Sequence, residues 1–153
     1  MLTALKKAGV TPEWVQVGNE IPGGMLWPDG STNNWAQLAQ LLNKGYEATK
    51  AVNAKIKVIV HVDEGNNNEK FRWFFDKATE HQVKYDVIGL SYYPFWIKKD
   101  YSETIADLQK NLNDMASRYQ KEVMVVEVGG VDEQVQNTRE LLAATIKAVD
   151  RKS

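Results

Sequence analysis

Four short apolar runs rich in β-branched residues alternate with stretches of helical spacing, and this alternation restricts the possible folds more than any other feature. The runs are Trp14–Gly18, Lys55–Val62, Asp86–Tyr92 and Val123–Val128, each with the length and composition of a strand. Their starts lie about 30 to 40 residues apart, which leaves room for a crossover helix each time. Between them, Trp35–Val52 repeats Leu38, Leu41, Leu42 and Tyr46 mostly three or four apart, and Glu69–His81 repeats Phe71, Phe74, Phe75 and Ala78. Helices are also predicted over Met1–Ala8 (stopped by Gly9), Ser102–Tyr119 and Glu133–Val149. Asn33 or Asn34 serves as a cap, and Ser102 opens a capping box with Ile105 where Glu would stand. Such an α/β order predicts parallel strands with right-handed crossovers. The unbroken apolar stretches Val58–Val60 and Val123–Val126 predict that both sheet faces are covered.

A doubly wound sheet and a segment of a (β/α)8 barrel both satisfy this pattern. The barrel is favoured because no Gly-rich phosphate turn follows the first strand, and because chemically active residues end all four strands. At two of these ends the active residue is a glutamate. Val15-Gln-Val-Gly-Asn-Glu20 and Val123-Met-Val-Val-Glu127-Val-Gly129 share one form, a strand followed by Glu at its C-terminal end. Two carboxyls brought together in this way are the working parts of a glycoside hydrolase. The competing reading for either one alone is an ordinary solvated or ion-paired Glu.

Composition narrows the class further. Net charge is −1, from 19 basic and 20 acidic residues, so nothing draws the chain to nucleic acid or an anionic membrane. With 43% hydrophobic and 25% charged residues it reads as a globular domain. No apolar run approaches the roughly 20 residues of a membrane span, and Met1–Lys7 lacks a signal-peptide core. The absence of cysteine removes thiolate metal sites. His61-Val-Asp63 alone supplies too few ligands for a metal, and no cofactor motif is present. Lys98-Lys99 and Arg151-Lys152 read as solvated surface. With no linker, low-complexity tract or internal sequence repeat, residues 1–153 read as one unit.

With those residues in view, the chain resembles glycoside hydrolase family 53, the endo-β-1,4-galactanases of the clan A (β/α)8 enzymes. The resemblance rests on Val15–Glu20, Gly24-Met-Leu-Trp-Pro-Asp-Gly30, Ile59-Val-His-Val-Asp63, Asp86-Val-Ile-Gly-Leu-Ser-Tyr-Tyr-Pro-Phe-Trp96 and Val125-Val-Glu127, in order and register. It implies a partial TIM barrel, strands 4 to 7 of eight, so that residues 1–153 form half of a catalytic domain. It implies Glu20 as acid/base and Glu127 as nucleophile of a retaining double displacement on β-1,4-galactan, the arabinogalactan side chains of pectin. Such an enzyme acts outside the cell, at its surface or in the periplasm. Val128-Gly129-Gly130 departs from the Thr/Ser-plus-aromatic continuation of the family, which affects local substrate contacts.

Retention needs carboxyls about 5–5.5 Å apart, one of them able to deliver a proton. Around the pair, Asn19 is expected either to bond the sugar 2-hydroxyl or to be a turn residue. His61 and Asp63, on one side of their strand, would orient Glu20 or bind a hydroxyl. Gly89, Ser91 and Tyr93 share the inward face of theirs; the small residues leave room, and the Tyr93 hydroxyl would donate to Glu127. Trp27 and Trp96 would stack on pyranose faces or lie as lids on the core. Two other functions stay open: another clan A retaining β-glycanase, and a carbohydrate-binding half-barrel without turnover. Half a barrel exposes two strand edges, so a homodimer closing through them, or a longer chain, is expected.

Overall fold

Four parallel strands, each followed by a helix, build the protein in a computed structural model that describes residues 1–150. After α1 (Leu2–Lys7) come β1 (Trp14–Gln16), α2 (Trp35–Val52), β2 (Lys57–Val62) and α3 (Asn68–Glu80). The second half holds β3 (Val87–Tyr92), α4 (Tyr101–Tyr119), β4 (Glu122–Val128) and α5 (Val135–Val149). Single 3-10 turns at Thr32–Asn34 and Pro94–Ile97 sit in the loops after β1 and β3. Arg151 and Lys152 lie outside the described residues.

Strand order decides between the two architectures. The sheet runs β1-β2-β3-β4 in chain order, with every pairing parallel. A doubly wound sheet reverses its order at a switch point; this one does not. Sequential order with right-handed crossovers places all helices on one face, the arrangement of half a (β/α)8 barrel.

Alternation along the strands then assigns the faces. Val60, Val62, Ile88, Leu90 and Tyr92 join the helix-side core with Leu38, Phe71, Phe74, Phe75, Leu108 and Met115. Ile59, His61, Gly89 and Ser91 take the opposite, barrel-interior face. Gly89 is required there: a Cβ would come within 2.6 Å of Ile59 Cγ2.

Helix α4 begins two residues before the expected Ser102 box. Asp100 is the cap; its carboxylate accepts from the Ser102 amide at 3.0 Å, and its own amide donates to Glu103 at 2.9 Å. Asp100 and Glu103 thus form the full reciprocal box, and Ile105 has no part in it. Asn34 caps α2. Strand β1 is shorter than Trp14–Gly18, yet its pairing reaches further, because Val17 N–H donates to Ile59 O and Ile21 N–H to His61 O, both at 3.0 Å. These two bonds bracket Gly18-Asn19-Glu20 and fasten that loop to β2.

The loop after β2 is fastened from the other side. Fully buried Asn111 of α4 donates to Gly65 O at 2.7 Å and accepts from Asn68 at 2.9 Å. Arg72 grips Asp114 in a two-pronged pair at 2.8 and 2.6 Å, and that guanidinium pulls the Asp114 carboxyl down to about 2.

Candidate active site

A cleft of about 510 Å³ opens where the C-terminal ends of the strands converge. Glu20 and Glu127 line it, with Asp63, Glu64 and Asn66 from the loop after β2, and Ser91, Tyr93, Trp96 and Ile97 from the end of β3 and its loop.

Glu20 reaches the cleft through an uncommon backbone. Its φ is +46°, in the left-handed region, and Gly18, two residues before it, has φ +82°. A non-glycine residue held there costs roughly 1–3 kcal/mol. The Glu20 amide donates to His61 Nδ1 at 3.3 Å, and the other ring nitrogen, Nε2, lies 2.7 Å from Ser91 Oγ.

Glu127 arrives through a β-bulge. Val125 pairs with Leu90, but Glu127, not Val126, pairs with Ser91. Val126 is the extra residue. In an unbulged ladder Glu127 would stand opposite Tyr92, whose side faces the helices. The bulge instead places Glu127 on the Ser91 side and returns Val128 to the core. Tyr93 Oη donates to Glu127 Oε2 at 3.1 Å.

The charged residues that line the cleft are all acidic. Burial lowers the His61 pKa, while Glu127, Glu20 and Asp63 push it the other way. Both glutamates therefore act on one imidazole. Burial, and then the bond to Glu127, raise the Tyr93 phenol. Asp63 Oδ1 is buried without a well-aligned hydrogen bond, but the Lys70 ammonium is 2.6 Å away and also reaches Glu64 at 3.4 Å.

The expected site residues divide. Asp63, Ser91, Tyr93 and Trp96 line the cleft with the two glutamates. Trp96 forms an exposed lip, edge-on to Phe95 at 5.1 Å between ring centroids. His61 is no part of the lining: it is fully buried, with one ring nitrogen against the Glu20 amide and the other against Ser91 Oγ. Asn19 accepts from Gln16 Nε2 at 2.9 Å and is no part of the lining. Trp27, also outside the lining, is exposed over Gly23. Glu64, Asn66 and Ile97 escaped the sequence reading, because they sit among turn residues with no periodicity to mark them.

The Val128-Gly129-Gly130 departure has a steric reason. A Cβ at Gly129 would meet Tyr93 Cε1 at 2.8 Å, so the small residue lets the ring lie against Glu127. Gly129→Ala is expected to push Tyr93 off the carboxylate. Its phenol should then titrate lower than in the parent, since an anion that favoured the protonated form is lost. A pH series of ¹³C-tyrosine NMR spectra reads this; an unchanged Tyr93 titration would contradict it.

Comparison with known proteins adds a family to this geometry. The family model described as Glycosyl hydrolase family 53 matches residues 1–150. A Niallia circulans protein, described as an uncharacterized protein in the bgaB 5′ region, is 40% identical over 135 residues, covering 83% of this chain and 36% of its own length. An arabinogalactan endo-β-1,4-galactanase of Humicola insolens is 39% identical over 126 residues, 78% of this chain and 37% of that protein. A solved structure of a fungal β-1,4-galactanase superposes with a TM-score of 0.86 at 30% identity, over 99% of this chain and 52% of that one. The chain thus spans between about a third and a half of the proteins it is similar to.

Proposed function

The chain belongs to glycosyl hydrolase family 53, and from that premise we propose that it carries the reacting carboxyl pair of a retaining endo-β-1,4-galactanase. The observation that carries this reading is the meeting of Glu20 and Glu127, far apart in sequence, in one cleft at the strand ends. The substrate is a β-1,4-galactan, the polymer to which the names of the similar galactanases point, and the protein meets it outside the cell.

In the first step a Glu127 oxygen attacks the anomeric carbon while Glu20 protonates the departing glycosidic oxygen. Tyr93 holds Oε2 of Glu127, which leaves Oε1 as the attacking atom. In the second step Glu20 takes a proton from water, which displaces Glu127 and restores both groups. Trp96 at the lip offers a flat apolar face to a pyranose ring. The edges β1 and β4 are unpaired among the described residues; further β/α units or a second copy close the barrel there and complete the sugar contacts.

The test is covalent trapping. A 2-deoxy-2-fluoro-β-galactoside with a good leaving group should leave one fluorosugar on the protein, and peptide mass spectrometry should place it on Glu127. Labelling elsewhere, or none, would overturn the assignment.

A further inference from the structure

We infer that His61 is a positioning residue: as the neutral imidazole with its proton on Nε2, it holds Glu20 in the left-handed backbone that aims its side chain into the cleft. This rests on the reading of Glu20 as the acid/base.

Three observations carry it. The first is that a single residue clamps two consecutive amides. Glu20 N–H donates to the ring Nδ1 and Ile21 N–H to the His61 carbonyl. The second fixes the tautomer. Nδ1 can accept from Glu20 only if it bears no proton, so in the neutral ring the proton is on Nε2 and is donated to Ser91 Oγ, 2.7 Å away. Ser91 is itself anchored, since its carbonyl accepts from Gly65 N–H at 2.7 Å. The third is burial: the ring is fully enclosed and cannot touch a sugar. Glu20 at φ +46° holds a conformation that costs a non-glycine residue free energy, and the two bonds from His61 offset that cost. His61 therefore acts on the reaction only through Glu20.

A purely structural histidine would affect all substrates alike, whereas a clamp on the acid would not. Glycosides with poor leaving groups need a proton from Glu20, but 2,4-dinitrophenyl β-galactoside does not. His61→Gln, which reaches the Nε2 position but leaves nothing at Nδ1, should lower kcat/KM on galactan about 10- to 100-fold, no more than the low end of what general acid catalysis contributes. On the activated aryl glycoside the change should stay under about threefold, as expected when only proton donation is impaired. His61→Asn restores an acceptor near Nδ1 and should recover most of the galactan rate. An equal loss on both substrates in His61→Gln would overturn the inference.

¹⁵N-imidazole NMR of the unmutated protein supplies an arm that needs neither turnover nor a variant. His61 Nδ1 should appear as the unprotonated ring nitrogen and Nε2 as the protonated one; the opposite tautomer, or a doubly protonated ring, would overturn the clamp. Glu20→Ala separates the two layers of the proposal. If it spares galactan as much as the aryl glycoside, the acid/base reading itself has failed.

Discussion

Glu127→Gln is expected to abolish galactan hydrolysis, lowering kcat on the order of 10⁴-fold or more, as removal of a covalent nucleophile does elsewhere, while leaving the fold intact. The amide has the same shape and keeps an oxygen for the Tyr93 hydroxyl, which now donates to Glu127 Oε2. What it lacks is the negative charge needed to attack the anomeric carbon. The stability change should stay within about 1 kcal/mol. Assays paired with thermal denaturation check both halves. An active variant would exclude Glu127 as nucleophile; an unfolded one would show that the side chain supports the fold rather than the reaction.

The largest effect on stability is expected at Phe74. Its ring is fully buried on α3 and edge-on to Trp35 at 5.0 Å and Phe75 at 5.3 Å. Trp35 opens α2, so this cluster joins two consecutive β/α units. Phe74→Ala removes the transfer energy of a large ring and leaves a cavity that the rigid rings of Trp35 and Phe75 cannot fill, a cost of about 3–5 kcal/mol. Against a total of roughly 5–15 kcal/mol for a domain, that is a large fraction. Trp73→Ala, one residue away but 45% exposed, should cost only about 1 kcal/mol. Urea denaturation of the two variants checks the contrast, and equal losses would contradict it.

Much of this structure was legible in the sequence because its signals are periodic. The bounds of α2 match the reading residue for residue, and those of α3, α4, β2 and β4 fall within two residues. Strand ends marked by Gly or Glu pointed to the two glutamates, and alternation on β3 placed Ser91 and Tyr93 on the cleft side.

What stayed hidden depends on tertiary contacts. The bulge in β4 was invisible, because in Val125-Val126-Glu127 nothing says which valine is extra; only the register against Leu90 and Ser91 decides. For Asn19 the sequence offered both a sugar contact and a turn role, and its bond from the Gln16 side chain to its side-chain Oδ1 could not be read from spacing. The sequence placed His61 on the Asp63 side of its strand but could not show that Ser91 and the Glu20 amide engage both ring nitrogens. At α4, Ser102 drew the cap because it precedes an apolar run, while Asp100 and Glu103 made the reciprocal bonds.

The central assignment, Glu20 and Glu127 as a retaining pair, is tested most directly by the anomeric protons of the first product. In a ¹H NMR time course on β-1,4-galactan, double displacement releases the β-anomer first, and the α-anomer grows in only by mutarotation. The α-anomer appearing first would contradict the assignment; no product at all would show that this chain alone does not complete the site and would favour the carbohydrate-binding half-barrel.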